Sequence, residues 1–404
     1  MAEQALTLMR LFHQDVISSG YEESIASRLS YCVYTLLRGS STLQTGADQD
    51  DKLDLVVGPG ELDGMPLQHD ERLLPYWKRF IGALSSVNFS NCAPINLSLL
   101  RVQLDKKVAE ILLQSVKKAP LELLSLCNNS LGKYGYNWLV ELLSTNTSLK
   151  TLYIKSNPME FPQDVANLSK TVANHPKLDI ILFENCGIGQ SNSVMKSVVN
   201  VFCLREVSLE NNDIDSYGAT LISDCLITNP TLQTLYLRHN SLNNEDAKKL
   251  AFSLNSNTNL LVLNLSLNNI TVEGMSSLSC SVCNITSLNS VSDSNHTCSI
   301  QFKEEEDVLN LRYVNRFLDP VFNKNAKLFG MLQRRKRILE DTPLQIIPKV
   351  LVLLHNVASD KLDAIFGFMK EWNMPLLYTS RLGKEPRRSK RIRKKTVMKY
   401  MGKK

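Results

Sequence analysis

Two adjacent stretches decide the fold: LQTLYLRHNSL, residues 232–242, and LLVLNLSLNNI, residues 260–270. Each has the form Leu-x-x-Leu-x-Leu-x-x-Asn-x-Leu or Ile. Working outward, the same form opens at Leu121, Leu149, Leu178 and Leu204, so successive units start 28, 29, 26, 28 and 28 residues apart. Self-similarity at a fixed period of this size marks supersecondary units stacked side by side. The alternating apolar residues, such as Leu232, Leu235 and Leu237, predict one face of a short parallel strand turned into a core. The ninth position holds Asn129, Asn157, Cys186, Asn212, Asn240 and Asn268. A side chain there can satisfy backbone groups left unpaired where the strand turns. The second half of each unit has helical spacing, as in Leu139 with Leu143 and Leu250 with Leu254.

Beyond these six units the pattern weakens. An irregular first unit is expected to open at Leu84 and a decayed last one at Leu288. Residues 1–75 are expected to form one or two helices followed by an acidic linker, because GSSTLQTGADQDDKLDLVVGPGELDG (39–64) is polar, acidic and Gly-containing. The array is placed at 76–300, a helical C-terminal region at 301–380, and a basic tail at 381–404. The two flanking regions can act as caps that shield the terminal apolar faces of a stack.

The segment from about Tyr76 to Tyr378 resembles the ribonuclease-inhibitor-like repeat proteins, and within them a set abundant in diatoms. The resemblance rests on SLNSVSDSNHTC (287–298), PLQIIPKVLVLL (343–354) and LDAIFGFMKEWNMPLLY (362–378) as well as on the repeat. It implies an α/β leucine-rich-repeat solenoid, a horseshoe with parallel strands inside and helices outside, that works by binding. It carries no catalytic residues.

Composition is consistent with this. At 43% hydrophobic and 21% charged, the chain has enough apolar surface for a continuous core. No apolar run reaches the ~18 residues of a membrane span, and the N-terminus MAEQALTLMRLFHQDV suggests an amphipathic helix instead of a signal peptide. Nine widely scattered cysteines point to reduced thiols, hence a nuclear or cytoplasmic setting. The tail carries twelve Lys and Arg against one Glu; with the whole chain at +6, the remaining 380 residues carry a net charge of about −5. Such asymmetry concerns partners and not the fold.

Two candidate sites follow. The odd strand positions between the core leucines face away from the helices and place Tyr153, Lys155, Glu184, Glu210, Tyr236 and Arg238 in one band across four strands. Tyr and Arg are the residue types that anchor protein interfaces, so an unidentified protein partner is expected there, bound by a monomer. In the tail, Arg387, Arg388, Lys390, Arg391, Arg393, Lys394 and Lys395 (RRSKRIRKK) suit an import receptor or the phosphates of a nucleic acid. With Tyr400 the one aromatic nearby, base-stacking recognition is not expected. Cys280-x-x-Cys283 with His296-x-Cys298 has zinc-like spacing, but the first pair falls at a helix end where thiols pack as small hydrophobes. No metal site, cofactor or catalytic residue is assigned, and no enzymatic activity is expected. The alternative is a regulator that stimulates GTP hydrolysis on a Ran-like GTPase through Arg38 or Arg238. The resemblance brings this alternative in, since some ribonuclease-inhibitor-type arrays activate small GTPases; those activators typically end in an acidic tail, and this one is basic.

Overall fold

In the computed structural model, the described residues are 2–45, 52–59, 65–87, 93–284, 286, 288–302, 314–315 and 319–334. The chain divides into two compact units, Met1–Pro320 and Val321–Lys404. The first unit begins with helices α1 (Ala2–Ser18) and α2 (Glu23–Thr45), then strand β1 (Leu53–Val57), α3 (Leu74–Ser86) and β2 (Ile95–Leu100). Regular alternation follows: α4 (Lys106–Val116), β3 (Leu121–Cys127), α5 (Gly132–Thr145), β4 (Thr151–Lys155), α6 (Pro162–Ala173) and β5 (Ile180–Glu184). It continues through α7 (Asn192–Val198), β6 (Glu206–Ser208), α8 (Ser216–Ile227), β7 (Thr234–Tyr236), α9 (Asn244–Leu254), β8 (Val262–Asn264) and α10 (Val272–Val282). Helix α11 (Leu288–Asp293) and strand β9 (Ser299–Gln301) end the series, and α12 (Pro320–Arg334) carries the described part of the second unit. Among the described residues no helix is long and apolar enough to cross a membrane.

Among the described residues, nine strands form one parallel sheet in sequence order, β1 to β9. Each strand pairs with the next, so the core is a stack of identical layers. Leu152, Ile181, Val207, Leu235 and Leu263 are aligned across β4–β8 and fully buried. On the helical side Leu139, Leu142, Val165, Leu168, Ile222, Leu250 and Leu278 close the same layer.

The turn after each strand is built from two ladders. At the eighth repeat position Asn128, Ser156, Asn185, Asn211, His239 and Leu267 all adopt left-handed backbone, with φ between 51° and 55°, and Arg101 precedes them at 53°. Short polar side chains tolerate this region best; Leu267 is the poorest fit. At the ninth position the asparagines lock one unit to the previous one. Asn212 donates from Nδ2 to Phe183 O (2.7 Å) and Glu210 O (2.9 Å), while its Oδ1 accepts from Cys186 N (2.8 Å). Asn240 repeats this, donating to Leu209 O (3.0 Å) and accepting from the backbone N of Asn212 and Ile214 (both 3.0 Å). Cys186 substitutes with its thiol, which donates to Ile154 O at 3.4 Å; burial pushes that thiol up to about 12. A third ladder closes the helix-to-strand turn: Asn146, His175, Asn257 and Asn295 each bond the preceding unit's backbone and cap their own following turn.

The ends differ from the sequence expectation. Leu84 opens no strand; it is buried in α3, and the strand comes at Ile95–Leu100. The acidic stretch expected as linker contains β1, whose Leu53, Leu55 and Val57 are buried while Asp54 and Val56 are exposed. Five residues with period-2 burial suffice for a strand, but the surrounding Asp and Gly conceal them. Gly58 just beyond is required by packing, since a Cβ there would lie 2.3 Å from Leu100 O. Thus the sheet begins inside residues 1–75, with α1 and α2 preceding it in the chain. At the other end Leu288 lies in α11, and the strand that pairs with β8 is Ser299–Gln301. The segments 343–354 and 362–378 lie outside the described residues.

Candidate binding face

One face of the sheet carries the helices; among the described residues no element covers the other. Strand register aligns Ser125, Tyr153, Leu182, Ser208 and Tyr236 in one row across β3–β7. Two residues further on, at the seventh repeat position, lie Cys127, Lys155 and Glu184 in register, followed by Glu210 and Arg238 where β6 and β7 have already turned. All six residues singled out from sequence therefore sit on the open side of four neighbouring strands.

They are not independent. Glu184 lies at the centre of one group: Lys155 Nζ approaches its Oε1 at 2.6 Å, and the Tyr153 hydroxyl donates to its Oε2. Burial works to raise the Glu184 carboxyl, but the hydrogen bonds from Lys155 and Tyr153 outweigh it and hold the group below the usual carboxylate range. Tyr153 is pushed up, first by burial and then by its bond to Glu184. On the next two strands Arg238 Nη1 lies 4.0 Å from Glu210 Oε2. Here burial dominates, and Glu210 is raised despite the arginine. The two glutamates, one strand apart, are thus shifted in opposite directions. Tyr236 is half-buried and raised by burial, with Glu206 and Glu210 nearby. Ser208 between them is buried, so the tyrosines project from a shallow floor.

A second charged row was missed from sequence. Glu122, Lys150, Asp179 and Arg205 occupy the second repeat position of four consecutive units, with alternating sign. Glu122 accepts from Lys150 and forms an ion pair with Lys52, each at 3.1 Å, and Arg205 Nε lies 2.7 Å from Asp179. The repeat alignment already contained this signal: reading down the second column gives acid, base, acid, base. At the upper edge Arg101 is 8% exposed, and its Nη1 has no hydrogen-bond partner among the described residues.

The other candidates lie elsewhere. Cys280 is exposed on α10, not packed inward as its helix-end position suggested, while Cys298 is buried just ahead of β9. Cys298 follows Asn295 of the helix-to-strand ladder and does not hold the ninth position of a repeat. Among the described residues no three His, Cys, Asp or Glu side chains come together as a metal site. The tail residues Arg387 to Lys395 lie outside the described residues.

A leucine-rich repeat family model matches residues 228–251 and 256–279, which carry β7 with most of α9 and β8 with most of α10. A search of curated proteins finds no match. Two matched repeats inside one nine-stranded parallel sheet among the described residues, with strands and helices alternating from β1 to α10, give this chain the fold of an α/β leucine-rich-repeat solenoid.

Proposed function

We propose that this protein is a non-enzymatic interaction module that seizes a protein partner on the open face of β4–β7, through Tyr153, Lys155, Glu184, Glu210, Tyr236 and Arg238. The observation that carries the reading is the composition of that face. Two partly buried tyrosines flank a mutually neutralised set of two acids and two bases, on a sheet whose other side is fully used by the core. Rigid amphipathic side chains over a firm floor lose little entropy on binding, and that is how interface hot spots are built. The full helix in each 26–29-residue unit supports the ribonuclease-inhibitor-like affiliation.

The test is site-specific crosslinking. A photoreactive amino acid at Tyr236 should trap a partner in extract, and the same probe at Phe252 on the outer helix α9, 67% exposed, should not. Crosslinks from position 252 alone would overturn the assignment of the face. We further propose that residues 387–395 act as an address to the nucleus or as a contact for polyanions, a reading supported by their charge density. A fusion lacking them should move to the cytoplasm in the first case and lose salt-sensitive retention on nucleic acid in the second. If neither changes, the tail proposal fails.

A further inference from the structure

Among the described residues, the first strand of the sheet has an unpaired side. Leu53 N–H donates to Pro94 O at 2.9 Å, so Leu53, Leu55 and Val57 direct their backbone groups toward β2, and by the two-residue period Asp54, Val56 and Gly58 direct theirs outward. Gly58 is already engaged: its N–H donates to the Thr35 hydroxyl of α2 (3.2 Å), whose own hydrogen is shared between Cys32 O (2.9 Å) and Gly58 O (3.3 Å). The outward N–H and C=O of Asp54 and Val56 have no hydrogen-bond partner among the described residues.

This edge is not a flat margin. Tyr31, Tyr34, Thr35, Arg38, Gly39 and Thr42 recur at helical spacing and form a stripe of α2 that, with Lys52–Val56, lines a groove of about 590 Å³. The core stripe of the same helix is a different one, with Leu29, Val33 and Leu36. Within the groove Tyr31 and Tyr34 lie ring to ring at 5.7 Å, Tyr31 is 43% exposed and Val56 49%, and Arg38 is exposed with no ion pair among the described residues. Unpaired ladder groups next to aromatic rings and an unmatched cation are what an added strand requires.

We propose that this groove binds an extended segment of a partner protein as a tenth strand beside β1, and that the segment carries a carboxylate and an apolar side chain two residues apart. The spacing follows from geometry. Alternate residues of a strand are about 6.6 Å apart on one face, and Tyr34 and Arg38, four residues apart on α2, are separated by about 6 Å along the helix. A carboxylate facing Arg38 therefore sets its second neighbour against the tyrosine pair. Thr35, bound to Gly58, blocks pairing beyond that point and limits the added ladder to the Asp54–Val56 stretch. A second copy of this chain is a poor occupant, since its own β1 would turn Leu53, Leu55 and Val57 toward α2 and offer Arg38 no acid.

The experiment uses the full chain and a random dodecapeptide display library. Enriched peptides should contain an acid and an apolar residue two positions apart. Measured by fluorescence anisotropy, they should bind at least ten-fold more weakly to Val56→Pro and to Arg38→Glu, and equally well to Tyr236→Ala. Proline at 56 removes an outward N–H and leaves the pairing with β2 intact. Should Val56→Pro melt early, N-methylation of alternate amides in the peptide tests the same ladder on the native chain and should abolish binding in one of the two registers. Peptides that bind Val56→Pro or the N-methylated forms undiminished, an unenriched library, or a self-association that Val56→Pro abolishes would each overturn the proposal. Because Tyr236→Ala separates this groove from the open face, failure of one site is distinguishable from failure of the other.

Discussion

The asparagine ladder makes a quantitative claim. In Asn212→Ala, Phe183 O and Glu210 O lose their bonds to Nδ2, and the Cys186 N–H loses its acceptor at a site where Asn212 is 0% exposed. A buried polar group left unpaired costs roughly 1–3 kcal/mol. The stranded N–H at mid-range, with smaller losses at the two carbonyls, gives about 3–4 kcal/mol. Asn129, at the start of the regular array, makes fewer bonds: Nδ2 donates to Val102 O at 2.9 Å, and Oδ1 accepts from no group among the described residues. Its alanine variant should cost about 1–2 kcal/mol by the same scale. Urea unfolding followed by circular dichroism gives both numbers, provided the slopes stay equal, and amide exchange at Cys186 localises the loss. Asn129→Ala costing as much as Asn212→Ala would refute the idea that the count of buried hydrogen bonds sets the penalty. So would recovery of stability in Asn212→Leu, which restores volume without the bonds.

Leu235→Ala, at a fully buried strand position, should destabilise by about 2–5 kcal/mol in the same assay. Leu267→Asn should stabilise by about 1 kcal/mol, read as a rise in melting temperature, because it relieves a leucine held at φ 55°. Carboxyl NMR titration should place Glu184 below Glu210, and the reverse order would contradict the geometry. The sign for stability follows: the contribution of Glu184 is present above the ordinary glutamate range and lost as pH falls through its lowered value, whereas ionising Glu210 opposes folding as pH rises through its raised value. Glu184→Gln should accordingly flatten the acid limb of a stability–pH curve.

How much of this was legible depended on repetition. From Leu121 to Ile270 every unit restates the same positions, so strand, ninth-position ladder and open face could all be read by alignment. Where a unit departs from the consensus, the reading failed for local reasons. Strand β1 is five residues inside an acidic, glycine-bearing stretch, and α11 pushes β9 beyond the expected register. The pairing of Lys155 and Tyr153 on Glu184 was not visible, because sequence fixes which side chains share a face but not which of them turn to each other. The helix-to-strand ladder was visible in principle, as Asn or His three residues before Leu149, Leu178 and Leu260, but the change of residue type within that column conceals it.

The pairing on the open face has a consequence for how that surface can change. Since Glu184 holds Lys155 on one carboxylate oxygen and Tyr153 on the other, removing Glu184 releases both partners, whereas removing either partner frees only one oxygen, so single substitutions at the three positions are coupled through the glutamate. An alanine scan would then assign the largest loss to Glu184, and the three losses would sum to more than the triple variant shows. New specificity on this face would arise more readily by exchanging the whole triplet, or by altering the loosely held Arg238, than by adjusting one residue of the triplet at a time.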